Sequence, residues 1–347
     1  MARILYGVHG TGHGHAVRAL AVARHFEGHE FRFVSHGDGA ALLRAEDFHV
    51  VNIPNPETVV AAHRVRAWPT LASLAKLMTR RTHWDQAVRR LLDDFRPDLA
   101  MTDYEYFVPR AAHAAGIPCL SLDHQHVVPL CAGVVPISRY ADFAITAWSI
   151  RTLFSQASAY LVSSFFQPPR LPRNGNTKIV PPLLRETVLQ AEPRDGDYVL
   201  AYQGYSTFNR FLPLLKEIPH PVRAYGLLGA GRDGNVEFKP RNEPEFLRDL
   251  AGCRYVVCGG GHSLISEALH LGKPVVAFPI RQAIEQYLNA WHVQHLGCGL
   301  CVESFAAADW IASMETRLDE FRANIRRSTF AGNEQIYSEI ASALAGR

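Results

Sequence analysis

Residues 255–267 read Tyr255-Val256-Val257-Cys258-Gly259-Gly260-Gly261-His262-Ser263-Leu264-Ile265-Ser266-Glu267. An apolar run breaks into three glycines, and a helical period opens at once. This is the pattern of a strand, a tight turn and a helix in a parallel α/β sheet, where glycines let the backbone approach a ligand. The amides of His262, Ser263 and Leu264 are expected at the helix N-terminus, with Gly260 and Gly261 before them. N–H groups and the helix dipole there suit a phosphate, and the Ser263 hydroxyl assists. Glu267 falls four residues after Ser263, on the same helical face. A carboxylate there suits ribose hydroxyls; the plain alternative is an exposed helix charge. Farther on, Glu285 and Gln286 open a helix and suit a polyhydroxylated group, and Arg281 suits a phosphate. The plain alternative for Glu285 is an N-terminal glutamate favoured by the helix dipole.

The same grammar stands at the start of the chain. The strand Arg3–Val8 runs into His9-Gly10-Thr11-Gly12-His13-Gly14-His15, and a helix follows. No Gly-Lys-Ser/Thr follows, so this is not a Walker A loop, and His15-Ala16 stands where a dinucleotide fingerprint has its third glycine. Gly12 and Gly14 are expected to face a ligand. His15, at the helix start, suits a general base near neutral pH; the alternative is a loop cap or phosphate ligand without proton transfer. A base needs an orienting group, and two aspartates end neighbouring strands: Asp103 after Leu99–Thr102 and Asp123 after Ile117–Leu122. Either can hold His15 in one tautomer, or each can cap a turn. His13 reads as a loop residue, and His13 with His15 is too few ligands for a metal site.

Strands alternate with helices through both halves of the 347 residues, about two domains' worth. This predicts two doubly wound α/β domains facing a cleft. A proline-rich stretch sets the expected boundaries: a first domain over 1–180, a linker over 181–195, a second domain over 196–320, and a C-terminal helix over 321–347 packing back on the first domain. Apolar residues at 48% and charged residues at 20% exclude a disordered chain, and a net charge of +3 is too mild for a nucleic-acid binder. The six cysteines read as buried thiols, Cys298-Gly-Leu-Cys301 among them. With no leader before the first strand, they predict a reducing, cytoplasmic setting. Asp195-Gly-Asp197 reads as a turn. Residues 57–96 hold eight Lys/Arg against four acids, interleaved with Trp68, Leu71, Leu74, Met78 and Trp84. Two readings follow: peripheral contact with an anionic membrane or polyanionic acceptor, or an ordinary amphipathic helix with a solvated basic face.

These residues resemble the GT-B glycosyltransferases, above all the UDP-glycosyltransferases and the peptidoglycan UDP-N-acetylglucosamine transferases of family 28. Gly260-Gly261-His262-Ser263, Glu267-Ala268-Leu269, Gly272-Lys273-Pro274, Pro279 and Glu285-Gln286 with Asn289-Ala290 stand in that family's order and spacing. The resemblance implies diphosphate at Ser263, ribose at Glu267 and the donor sugar at Glu285 and Gln286, with the base of the nucleotide near Phe238–Arg241 and the helix from Glu243. Gly14-His15 is similar to the family's base for inverting transfer, and Thr102-Asp103 with Ala115-Gly116-Ile117-Pro118 is similar to the segment that supplies its aspartate, which favours Asp103 over Asp123 as the partner. Leu122-Asp123-His124-Gln125 is similar to a loop of the peptidoglycan enzymes. The implied reaction moves a sugar from a nucleoside-diphosphate sugar, as substrate, to a glycan, lipid-linked or small-molecule acceptor, with no cofactor and no metal. Arg18 departs from the family's usual proline. Gly-His-x-x-Arg is also similar to nucleotide-sugar hydrolases on this fold, where the histidine activates water. A non-catalytic nucleotide-sugar binder is the third reading, and it would be indifferent to His15→Ala.

Overall fold

The computed structural model describes residues 1–130, 135–168, 175–204, 211–227, 230–240, 242–304 and 309–346. The chain divides into two compact units. One comprises residues 1–59, 66–185 and 332–347, the other residues 60–65 and 186–331.

The first three strands are β1 (Arg3–Val8), β2 (Glu30–Ser35) and β3 (His49–Asn52). A small hairpin follows, β4 (Val60–Ala61) and β5 (Arg64–Val65), which belongs to the second unit. The chain then forms β6 (Leu99–Asp103), β7 (Cys119–Asp123), β8 (Ala159–Ser163) and β9 (Thr177–Val180). The first unit's sheet has the order β3-β2-β1-β6-β7-β8-β9, and every pairing is parallel. Parallel strands covered on both faces must be apolar throughout, and β1, β6 and β7 are almost wholly buried. The chain winds outward from β1 through β2 and β3, then returns to the other side of β1 at β6. That reversal is the topological switch point of the sheet, where the loops after β1 and β6 diverge and leave a crevice.

The second sheet contains β10 (Val199–Tyr202), β11 (Val222–Tyr225), β12 (Gly231–Asp233), β13 (Val236–Lys239), β14 (Val256–Cys258), β15 (Val275–Ala277) and β16 (Gly299–Cys301). Its order is β12-β13-β11-β10-β14-β15-β16, parallel except for the edge strand β12. Here the winding reverses between β10 and β14, so the switch point falls at the Gly259–Gly261 turn. Cys298 is buried and Cys301 half-buried at β16.

Several boundaries differ from expectation. The last part of the chain is not one helix over 321–347. Helices Asp309–Thr316 and Leu318–Ile325 stay with the second unit, and only Gly332–Arg347 joins the first. Within that segment, Ile336 and Ile340 of the helix Asn333–Ala345 are fully buried in the first unit's core beside Ile4, Tyr6 and Leu20. The amphipathic segment within residues 57–96 is two helices, Ala67–Thr79 and Arg81–Phe95, broken at Arg80. Only the second has a well-buried face, through Val88, Leu91, Leu92 and Phe95. The first buries Leu77 and leaves Trp68 and Leu71 exposed. Asp195 receives Arg322 at 3.0 Å. In the second unit Phe211–Lys216 forms a short helix. Cys131, Arg241 and the prolines at 169 and 172 lie outside the described residues.

Candidate active site

At the first switch point the strand ends set the geometry. Val8 pairs with Asp103 across β1 and β6, and the His9 amide donates to the Asp103 carbonyl at 2.9 Å. Gly10 sits where a side chain cannot: a Cβ there would lie 1.9 Å from the His36 carbonyl oxygen. Gly12 has φ +72° with open space around it, and Gly14 begins the helix Gly14–His25, with His13 at its N-cap position. The glycine pattern thus serves two ends, a close backbone crossing at Gly10 and a left-handed turn at Gly12.

This turn carries His15 onto Asp103. His15 Nδ1 lies 2.7 Å from Asp103 Oδ1, with the carboxylate wholly buried and the ring 14% exposed. A carboxylate only accepts, so this short contact places a hydrogen on Nδ1. Of the two candidate aspartates, Asp103 is the partner. Asp123 instead holds His126, at 2.7 Å from its Nδ1, and also accepts from the His126 amide and the Ser121 hydroxyl. Burial alone would raise the Asp123 carboxyl, but these bonds hold it well below the usual carboxylate range. His126 in turn reaches the Ser155 hydroxyl at 3.3 Å, a closed buried network that locks the loop after β7.

Three features here go beyond the roles the sequence reading assigned. Arg18 grips Asp103 with a fork, Nε to Oδ2 at 2.7 Å and Nη2 to Oδ1 at 2.8 Å, and is itself buried. Burial opposes the guanidinium charge, yet the Asp103 carboxylate outweighs it and keeps Arg18 above its ordinary value. Tyr104, directly after Asp103, adopts a left-handed φ of +56°, and its ring lies parallel to His15 at 6.3 Å and stacks on Phe154 at 4.0 Å. Such strain in a tyrosine persists only where surrounding bonds enforce it. One of them is the Asn55 side chain, which donates to the Tyr104 carbonyl and accepts from the Tyr106 amide, each at 3.0 Å. Third, His9 stands 5.2 Å from His15 and 5.5 Å from His36, ring to ring, and His36 bonds Glu57 at 2.7 Å. Burial pushes His9 well below the ordinary imidazole value, and its two histidine neighbours push the same way. The spacing His15–Arg18, one helical turn, was the visible signal for Arg18.

The second switch point lies in the other unit. Gly260 is demanded by packing, since a Cβ there would lie 2.3 Å from the Gln286 carbonyl oxygen, whereas at Gly261 it would meet nothing within 4 Å. Gly261 precedes the helix His262–His270, whose first bond runs from the Ile265 amide to the Gly261 carbonyl at 3.3 Å. The amides of His262, Ser263 and Leu264 therefore stand ahead of the helical ladder, at the positive end of the helix. Ser263 and Leu264 are half-buried. Glu267 is not an exposed helix charge; it is buried at 7% exposure. Asn289 ties the two loops together, donating to the Gly260 carbonyl at 2.9 Å and to Glu285 at 3.0 Å. Gln286 accepts from the Ile280 amide at 3.2 Å. Arg281 is exposed, and its main chain is clamped by the β4–β5 hairpin: its amide donates to the His63 carbonyl at 3.0 Å and its carbonyl accepts from Val65 at 3.1 Å. The hairpin turn, Ala62-His63, has φ of +50° and +58° without a glycine, and His63 Nε2 donates to the Pro279 carbonyl at 3.0 Å.

Comparison with known proteins agrees with this architecture. Residues 2–318 match the family model described as glycosyl transferase family 1. An uncharacterized glycosyltransferase of Methanosarcina mazei is 24% identical over 327 residues, covering 86% of this chain and 84% of its own. Among solved structures, MurG of Acinetobacter baumannii superposes with a TM-score of 0.61 at 17% identity, covering 99% of this chain and all of its own. The glycosyltransferase VinC, in complex with dTDP, gives 0.62 at 18% identity and the same coverage. Two Rossmann-like sheets, a glycine turn before a helix at each switch point and a family match over most of the chain lead to one assignment: the protein belongs to glycosyl transferase family 1 and is a glycosyltransferase of the GT-B fold.

Proposed function

We propose that this glycosyltransferase moves a sugar from a nucleoside-diphosphate sugar, with a UDP-sugar as the first candidate, to an acceptor hydroxyl, with inversion and without a metal ion. The observation that carries the reading is the buried Asp103 at 2.7 Å from His15 Nδ1, which presents Nε2 as the base. His15 Nε2 takes the acceptor proton as the acceptor oxygen bonds to C1 of the donor sugar. The bond from C1 to the diphosphate breaks, and the nucleoside diphosphate leaves. Attack from the face opposite the leaving group inverts the centre. Charge growing on the diphosphate meets the amides of His262, Ser263 and Leu264, with Arg281 as a further cation.

Buried Glu267 suits the ribose hydroxyls, and Glu285 and Gln286 suit the donor sugar, held in place by Asn289 and the Ile280 amide. VinC, captured with dTDP, supports a nucleoside diphosphate as the leaving group. The helix Ala67–Thr79, with exposed Trp68 and Leu71 between Arg66 and Arg80, supports peripheral contact with an anionic surface and an acceptor presented there. Among the described residues no helix is long and apolar enough to cross a membrane.

The test is a thermal-melt panel of nucleoside diphosphates and nucleotide sugars on wild type and Glu267→Ala. A ligand at 100 times its Kd adds about 2.7 kcal/mol. One base should stabilise the wild type, and Glu267→Ala should lose that effect. A folded protein that no nucleotide stabilises would refute the donor site. The arrangement of His15 and Arg18 also suits a nucleotide-sugar hydrolase. Free sugar released in water alone, and abolished by His15→Ala, would select that reading; turnover only with acceptor would select transfer.

A further inference from the structure

A histidine held by an aspartate alone is made more basic, because the carboxylate stabilises the imidazolium. The site here is built differently. Both oxygens of Asp103 are taken by Arg18, at 2.7 and 2.8 Å, and Oδ1 also meets His15 at 2.7 Å. Arg18 Nη2 comes within 3.4 Å of His15 Nδ1. Arg18 lies one turn after His15 on the same helix, so the fork and the imidazole are held in fixed register. Asp103 is fully buried and Arg18 is 6% exposed, so neither charge is shielded by water. His15 thus faces a compact ion pair with no net charge.

We infer that Arg18 is a positioning residue that cancels the Asp103 charge at His15, so that Asp103 orients the ring and sets its tautomer without turning it into a resident cation. The other groups around the ring do not replace Arg18. His9, at the end of β1, meets it edge-on at 5.2 Å, and Tyr104, after β6, lies parallel at 6.3 Å. The pair His36 and Glu57 stands behind His9, 5.5 Å from its ring. Arg18 remains charged through the working range because Asp103 outweighs the effect of burial.

This inference rests on the proposed function only in calling His15 a base; its claim is about titration. The test follows the His15 ring by NMR across pH in the full chain, assigned with His15→Gln. Arg18→Met should raise the His15 midpoint by about one pH unit or more, since it exposes the ring to an uncancelled carboxylate. The acid limb of the turnover profile should move with it, and Arg18→Lys should restore most of the shift. An unchanged or lowered midpoint in Arg18→Met overturns the inference. If Arg18→Met does not fold, the neutral double variant Arg18→Met/Asp103→Asn decides. Charge cancellation predicts a midpoint within a few tenths of a unit of wild type, whereas a bare His–Asp dyad predicts a fall of about one unit. Turnover that survives His15→Gln would remove the base assignment and leave the titration result standing.

Discussion

Replacing Gly261 with alanine separates what the fold needs from what the ligand needs. Gly261 has φ −70° and ψ 126°, a conformation open to any residue, and a Cβ there meets nothing within 4 Å. Its neighbour Gly260 is closed, with the Gln286 carbonyl oxygen 2.3 Å from the same kind of Cβ. Alanine at 261 should therefore stabilise the unliganded protein by about 0.4–1 kcal/mol, through the lost freedom of the unfolded chain. For a unit of this size that is a rise in Tm of about 1–4 °C. The methyl group would stand at the mouth of the amides of His262, Ser263 and Leu264. A diphosphate seated there should lose affinity by about tenfold or more, or about 1.4 kcal/mol. The assay is a pair of melts, with and without the stabilising nucleoside diphosphate. The two shifts should have opposite signs: the bare protein melts higher, and the ligand adds less. A variant that melts higher yet binds as wild type would refute the seating of diphosphate on this turn. One that melts lower would refute the steric analysis. Gly260→Ala is the comparison, expected to lose about 1–3 kcal/mol from overpacking against backbone.

Chelation should leave turnover unchanged, because helix-end amides supply the positive field proposed for the leaving group; a loss restored by a divalent cation would contradict this. Burial pushes the Glu105 carboxyl from its ordinary 4.5 up to about 7, against amide bonds from Phe107 and Val108. The folded state then holds a proton that the unfolded state releases. A contribution of about 3 kcal/mol, from a difference of roughly 2.5 at 1.36 kcal/mol each, is present below pH 4.5 and lost as pH rises through 7. Denaturant unfolding from pH 4 to 8 should show that slope in the difference between wild type and Glu105→Gln, which removes the contributions of other titrating groups such as His9. Ala62→Gly should raise stability by about 1 kcal/mol in the same assay, by relieving a left-handed alanine at φ +50° in the hairpin turn.

Much of the architecture was legible because parallel strands are buried on both faces and carry unbroken apolar runs. Arg3–Val8 is a strand over the residues its pattern marks, and Leu99–Thr102 is one that runs on through Asp103. Alternation of strand and helix was enough for two doubly wound sheets. The strand β8 and the edge strand β9 were not legible. Thr177–Val180 is short and partly exposed, so apolar periodicity had little to register. The hairpin β4–β5 has no glycine at its turn, the residue that normally marks one. At the site, the loop glycines and His15 were visible, and the family resemblance favoured Asp103, although the residue pattern alone left Asp103 and Asp123 open. Both end a strand, and only the pairing of β6 with β1 brings one of them to His15. Arg18 was seen as a departure from a pattern, while its role depends on a fork closing on a residue 85 positions away. Part of the glycine signal also meant something else, since Gly10 and Gly260 answer to neighbouring backbone.

The return of Gly332–Arg347 to the first unit has a consequence for how the protein is made. Ile336 and Ile340 fill the core around β1, so the half that emerges first from the ribosome is the last to be completed. Residues 186–331 can close their own sheet while the helix bearing His15 and the strand ending in Asp103 wait for a helix still to be translated. Nascent chains stalled before residue 332 should therefore carry a protease-resistant second unit beside an unfinished first one. His15 and Asp103 would then be brought together only once residues 332–347 have joined the first unit.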